Sequence, residues 1–153
     1  MANRREYAQR YDAMAQKLYQ IAVYLTGDAF EARRAIAAAF VAGYDAAAKG
    51  ETPFAELMLD QLFRSCADCP VLSGEEYCRR LAETLAPAKA DERLCTLLCD
   101  LEPWQRSVIL LAFFGGMPAE RIFLLVGRSH EETVAVLRGL FLRVKKECAA
   151  QHC

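Results

Sequence analysis

Apolar residues recur every three or four positions from one end of this chain to the other, and no stretch alternates with period two. That spacing lines one face of a helix and cannot line one face of a strand, so it restricts the chain to an all-α fold. Tyr7, Tyr11, Met14, Leu18, Ile21 and Leu25 mark a first helix from about Arg4 to Leu25. Gly27 ends it and Asp28 caps the next. The second helix runs from about Ala29 to Lys49, with Phe30, Ile36, Phe40 and Tyr44 on its apolar side and Gly50 just beyond its end. Thr52 as N-cap and Pro53 in the first turn open a third, whose core face is Phe54, Leu57, Met58, Leu62 and Phe63. These three helices close a small bundle over residues 1–66.

The pattern breaks at Cys66 to Ser73, where Pro70 marks a turn. Ser73 and Glu76 form a capping box for a short helix through Leu85. The stretch from Ala86 to Ala90 is the linker, and residues 67–90 hold the domain boundary. A second helical domain occupies 91–153. Leu94, Leu97, Leu98 and Leu101 form a short face, and Pro103 restarts a helix carrying Trp104, Val108, Leu111 and Phe114. Gly115 and Gly116 stop it. A short helix from about Pro118 to Val126, a turn at Gly127 and Arg128, and a second capping box at Ser129 and Glu132 lead into a final helix reaching about Cys148. On that helix Val134, Leu137, Phe141 and Val144 serve the core, while Ala135, Val136, Gly139 and Leu142 form an apolar face on the opposite side. Short helix, glycine turn and longer capped helix together make a helix-turn-helix plan.

Composition removes several function classes. Apolar residues make up 54% of the chain, yet the longest apolar stretch, 107–114, is far below the roughly 18 residues of a membrane span. The polar N-terminus has no apolar segment behind its arginines, so a cytoplasmic protein with no membrane partner is expected. Seven cysteines without an export signal read as reduced thiols packing as small hydrophobes. Cys66 and Cys69 are spaced as a CxxC pair, but no histidine stands beside them; His130 and His152 are distant, so no metal and no cofactor are expected. No glycine-rich phosphate loop, HExxH pattern or nucleophile motif occurs, so the chain is read as not an enzyme. Net charge is −1. Residues 1–66 hold eight basic and eight acidic groups, 67–86 two and four, and 87–153 nine and eight. Neither half is the basic body that grips DNA mainly through phosphates.

The string from Leu101 to Glu147 nevertheless resembles region 4 of the extracytoplasmic-function sigma factors of bacterial RNA polymerase. Leu101, Pro103, Gln105, Arg106, Val108, Leu110, Leu111, Gly116, Ile122, Gly127, Ser129, Thr133 and Val134 carry that match. The string from Tyr11 to Ala46 is similar to region 2, through Leu18, Tyr19, Leu25, Gly27, Asp28, Ala32, Phe40 and Tyr44. The two regions occur in the family's order. The resemblance implies two small helical bundles, the second a helix-turn-helix, with RNA polymerase core and promoter DNA as partners and transcription initiation as the role. It also implies an anti-sigma-type regulator as a partner class. Arg128, Ser129, His130, Thr133, Arg138, Arg143, Lys145 and Lys146 are then the DNA-facing candidates, and Arg33, Arg34, Ala37 and Phe40 the polymerase- or partner-facing ones.

The chain departs from the family at its contact positions. Where the docking helix usually carries acids, Arg33 and Arg34 stand, followed by Ala37 and Ala38. Reversing charge at a charged interface costs several kcal/mol of complementarity. No basic run follows the third helix. The final helix opens on Glu131 and Glu132 and places Ala135, Val136, Gly139 and Leu142 where base-reading side chains are expected. Two readings follow: a sigma-factor-like transcription regulator, or a degenerate sigma-like interaction module or homodimer that has lost DNA binding.

Overall fold

The computed structural model describes residues 4–50, 52–67, 69, 72, 74–85 and 92–151. Every regular element among them is helical: α1 Arg4–Thr26, α2 Ala29–Ala48, α3 Phe54–Ala67, α4 Gly74–Leu85, α5 Glu92–Cys99, α6 Pro103–Ile109, α7 Ala119–Val126 and α8 His130–Gln151. No described helix is long and apolar enough to cross a membrane. The chain falls into two compact units, Met1–Pro103 and Trp104–Cys153.

In the first unit α1 buries Tyr7, Tyr11, Leu18 and Ile21, as its spacing predicts, and adds Ala22, Val23 and Tyr24. The α2 face differs from expectation. Its buried stripe is Ala32, Ala35, Ala39 and Gly43, at spacings of three and four, while Phe30 is 70% exposed and Ile36 and Phe40 are half-buried. The cause is space. A Cβ added at Gly43 would lie 2.6 Å from the Tyr7 hydroxyl and 3.0 Å from the Met58 sulfur. Packed against both α1 and α3, α2 has room only for its smallest side chains on this stripe. The Tyr7 hydroxyl donates to the Phe40 carbonyl at 2.7 Å, and that of Tyr11 to Ile36 at 3.2 Å. Leu57, Met58, Leu59 and Leu62 of α3 complete the core.

Gly27 turns the chain at φ +74°, its N–H bonded to the Val23 carbonyl at 2.7 Å. Asp28 caps α2 by accepting from the Phe30 N–H at 2.8 Å. This corner also seats α4. The buried Tyr77 hydroxyl donates to the Tyr24 carbonyl, and a Cβ at Gly27 would meet the Tyr77 ring at 2.8 Å. Arg80 adds an ion pair to Asp28 at 2.7 Å. The segment read as a linker therefore contributes a helix docked on α1. Residues 86–90 and the cap Ser73 lie outside the described residues. Cys78 of α4 and Cys99 of α5 form a disulfide with Cα atoms 5.6 Å apart. The expectation of reduced thiols missed this pair, because spacing in sequence does not say which cysteines meet. Closing a loop of 21 residues contributes about 3 kcal/mol in the chain-entropy account.

In the second unit Val108, Ile109, Leu110 and Leu111 are all buried, four in succession. A regular helix turns about 100° per residue and cannot hold four consecutive residues on one face. Here Leu110–Phe114 form a wider π turn, with the Gly115 N–H bonded to the Leu110 carbonyl at 3.0 Å. Gly116, at φ +65°, then reverses the chain. Ile122 of α7 is buried, and α8 buries Thr133 and Leu140 with Leu137 half-buried. Phe141, expected in the core, is 58% exposed. Thr133, Leu137 and Leu140 already fill the facing stripe, and Phe141 lies one residue further round the helix. The side chain of Val144, another expected core position, lies outside the described part.

Candidate functional site

The α7–α8 pair is the place where sequence expectation and structure meet most closely. Gly127 ends α7 at φ +71°, a conformation that costs a side-chain-bearing residue roughly 1 kcal/mol or more, and its N–H bonds the Phe123 carbonyl at 3.2 Å. Three residues later α8 begins. The Ser129 hydroxyl accepts from the Glu132 N–H at 3.1 Å, and the Thr133 hydroxyl donates to the Ser129 carbonyl at 3.0 Å. Ser129→Ala should lower stability by about 1 kcal/mol. In thermal unfolding of so small a unit that is a drop in Tm of about 4–8 °C.

These bonds also sort the DNA-facing candidates. Thr133 is fully buried, so its hydroxyl fixes the turn and cannot meet DNA. Ser129 is exposed, but its oxygen is engaged as the cap. Arg128 lies over the Trp104 ring at 4.6 Å and 3.6 Å from Glu132, so part of its charge is used within the unit. His130 meets the Phe123 ring edge-on at 5.5 Å. Arg138 and Lys146 are exposed, Arg143 is half-buried, and the Lys145 side chain lies outside the described part. The exposed face of α8 thus opens on Glu131 and Glu132, continues through Ala135, Arg138, Gly139 and the 59% exposed Leu142, with Val136 half-buried at its edge, and reaches Lys146, so among the described side chains it carries two exposed cations. Acids in the first turn favour the helix through its macrodipole. They repel phosphate at the end of the helix that a base-reading mode inserts first. Two exposed apolar residues are not read as surface from the sequence: Leu124 is not singled out, and Phe141 is assigned to the core. Their signal is the surplus of large apolar residues on α7 and α8 over the positions one core stripe can take.

On the first unit, Arg33 and Ala37 are exposed on the outer side of α2. Arg34 is exposed too, but pairs with Glu31 at 2.7 Å and reaches the Cys69 sulfur at 3.9 Å. Phe40, read as partner-facing, is half-buried and packs on Tyr7 and Tyr11, with ring centroids 5.1 and 4.7 Å apart. It also lines a shallow cavity of about 430 Å³ with Arg4, Tyr7, Val41, Tyr44 and Asp45.

Cys66 and Cys69 sit at the end of α3, joined by a bond from the Cys69 N–H to the Cys66 carbonyl at 3.0 Å, with both thiols free. No group of three His, Cys, Asp or Glu side chains able to hold a metal occurs among the described residues. Burial pushes the Cys66 thiol up to about 12, and Cys69 is raised by the same cause. Both shifts oppose the thiolate that redox or metal chemistry needs. The folded chain holds the Cys66 proton more tightly than the unfolded one, so this group's contribution is intact below pH 9.0 and is lost as pH rises toward about 12. Tyr7, raised from 10.0 to about 12 chiefly by burial, adds to the same loss from pH 10.0 upward. Urea unfolding at stepped pH should show stability falling through this window, with a shallower fall from pH 9.0 in Cys66→Ala.

No protein-family model, curated protein or solved structure matches this chain.

Proposed function

We propose that this chain is a sigma-factor-like transcription regulator of the bacterial cytoplasm, without catalytic activity, that meets RNA polymerase and promoter DNA. The observation that carries the reading is the α7–α8 pair. A left-handed glycine, a capping serine and a buried threonine build the turn, each at a position the family resemblance marks. The α1–α3 bundle supports the same reading, since Leu18, Gly27, Asp28 and Ala32 occupy the positions that shape it. The test is capture of core polymerase by the full chain, with promoter-DNA binding measured across salt. Among the described side chains of α8, Arg138, Arg143 and Lys146 are the cations that can meet phosphate, and three such contacts correspond to a slope of log affinity on log salt near −3. Failure to capture polymerase, with no DNA binding at low salt, overturns the reading.

One observation favours a second reading, an interaction module that has given up DNA. The exposed face of α8 is acidic at its start and holds a single cation, Arg138, among the apolar residues of its middle, which is not the basic stripe of a phosphate-tracking surface. Self-association or capture of a partner other than polymerase, with no DNA binding at any salt, is the result that reading expects.

A further inference from the structure

The exposed face of α8 has an internal symmetry. Glu132, Ala135, Gly139, Leu142 and Lys146 are all exposed, and the half-buried Val136 borders them. They recur at spacings of three and four, so they form one stripe, turned away from the buried Thr133 and Leu140. Gly139 lies at its midpoint. Three residues before it stands Val136 and three after it Leu142; seven before it stands Glu132 and seven after it Lys146. Among the described residues, a Cβ added at Gly139 would meet nothing within 4 Å. The chain's own packing therefore does not require a glycine there, although a glycine inside a helix costs about 1 kcal/mol relative to alanine. Close approach of another backbone supplies the reason that the isolated chain lacks.

We propose that this stripe binds the same stripe of a second copy of the chain, α8 against α8, antiparallel across a two-fold axis at Gly139. In that arrangement Gly139 meets Gly139 of the second copy and the backbones approach closely. Val136 covers Leu142 of the second copy on each side of the axis. Glu132 faces Lys146 of the second copy at both ends. Charge order selects this pairing: a parallel pair would set Glu132 against Glu132 and Lys146 against Lys146, and like charges in register cost affinity. Glu132 also lies 3.6 Å from Arg128 of its own chain, a loose pair between half-exposed side chains that leaves it within reach of a second cation. The contact is self-complementary, as a two-fold interface must be. This inference deepens the interaction-module reading by naming its partner, and it implies that dimer and DNA compete for one face.

One helix pair is a small interface, so the test is sedimentation equilibrium of the full chain from about 1 µM to about 1 mM. The expected result is an apparent mass rising from one chain toward two. Gly139→Leu should weaken association about 10-fold or more, while circular dichroism shows α8 still formed. E132K and K146E should each weaken it about 5-fold at low salt, and the double variant E132K/K146E should return it to within about 2-fold of the unaltered chain, because every facing pair is again of opposite sign. Damage to the fold would not be repaired by a second charge reversal. A monomer throughout the range, association indifferent to Gly139→Leu, or a double variant no better than the singles overturns the proposal. Polymerase capture is scored separately: a strict monomer that captures polymerase overturns the dimer and leaves the sigma-like reading standing.

Discussion

Tyr77→Ala is expected to lower the unfolding free energy by about 3–5 kcal/mol, the range for truncating a fully buried aromatic side chain. Tyr77 has no exposed surface and is among the largest fully buried side chains of the chain. Its ring fills the space left open by Gly27, and its hydroxyl satisfies the Tyr24 carbonyl in the last turn of α1. Truncation removes both at once and leaves a cavity where α4 docks. Tyr77→Phe separates the terms, because it keeps the ring and loses only the hydrogen bond, at about 1 kcal/mol. Urea midpoints for the two variants measure the difference. A loss below about 1 kcal/mol for Tyr77→Ala would mean that α4 does not belong to the first unit's core.

Leu110→Ala acts on the other unit with an effect of about 2–5 kcal/mol. Leu110 is fully buried at the start of the π turn, and its carbonyl holds Gly115. The second unit spans only Trp104–Cys153. A core of that size rarely supplies more than about 3–5 kcal/mol, so one such truncation removes most of it. Trp104 is the single tryptophan of the chain and lies in this unit. Its fluorescence should shift to that of a solvated indole at 25 °C. Helical circular dichroism should fall by about a third, the share of the 153 residues that lie in Trp104–Cys153. Full retention of both signals would show that the π turn is not central to the unit's stability.

The fold class and most helix boundaries were legible because they are written locally. Gly27, Gly116 and Gly127 take positive φ, and Asp28 and Ser129 cap the helices they precede. Which face of a helix is buried was less legible. Large apolar residues suggested Phe30 and Phe141 for the core, but α2 lies too close to its neighbours for anything larger than alanine, and α8 had filled its stripe before Phe141. The docking of α4 and the Cys78–Cys99 bond were hidden for another reason. Both join residues far apart in sequence, Tyr24 with Tyr77 and Cys78 with Cys99, and no local pattern records such meetings. At the candidate site, the cap and the turn could be read from spacing. The burial of Thr133 could not, since a hydroxyl serves a core and a contact surface equally well.

The thin inner stripe of α2 separates two kinds of change. On the inside, enlarging Ala35, Ala39 or Gly43 wedges helices apart, so those positions are frozen by geometry. On the outside, Phe30, Arg33, Ala37 and Val41 are exposed to solvent. An ancestral surface can therefore be rewritten there, even to opposite polarity, while the architecture beneath it stays intact. Loss of an old attachment and gain of a new one become independent events in the history of such a helix.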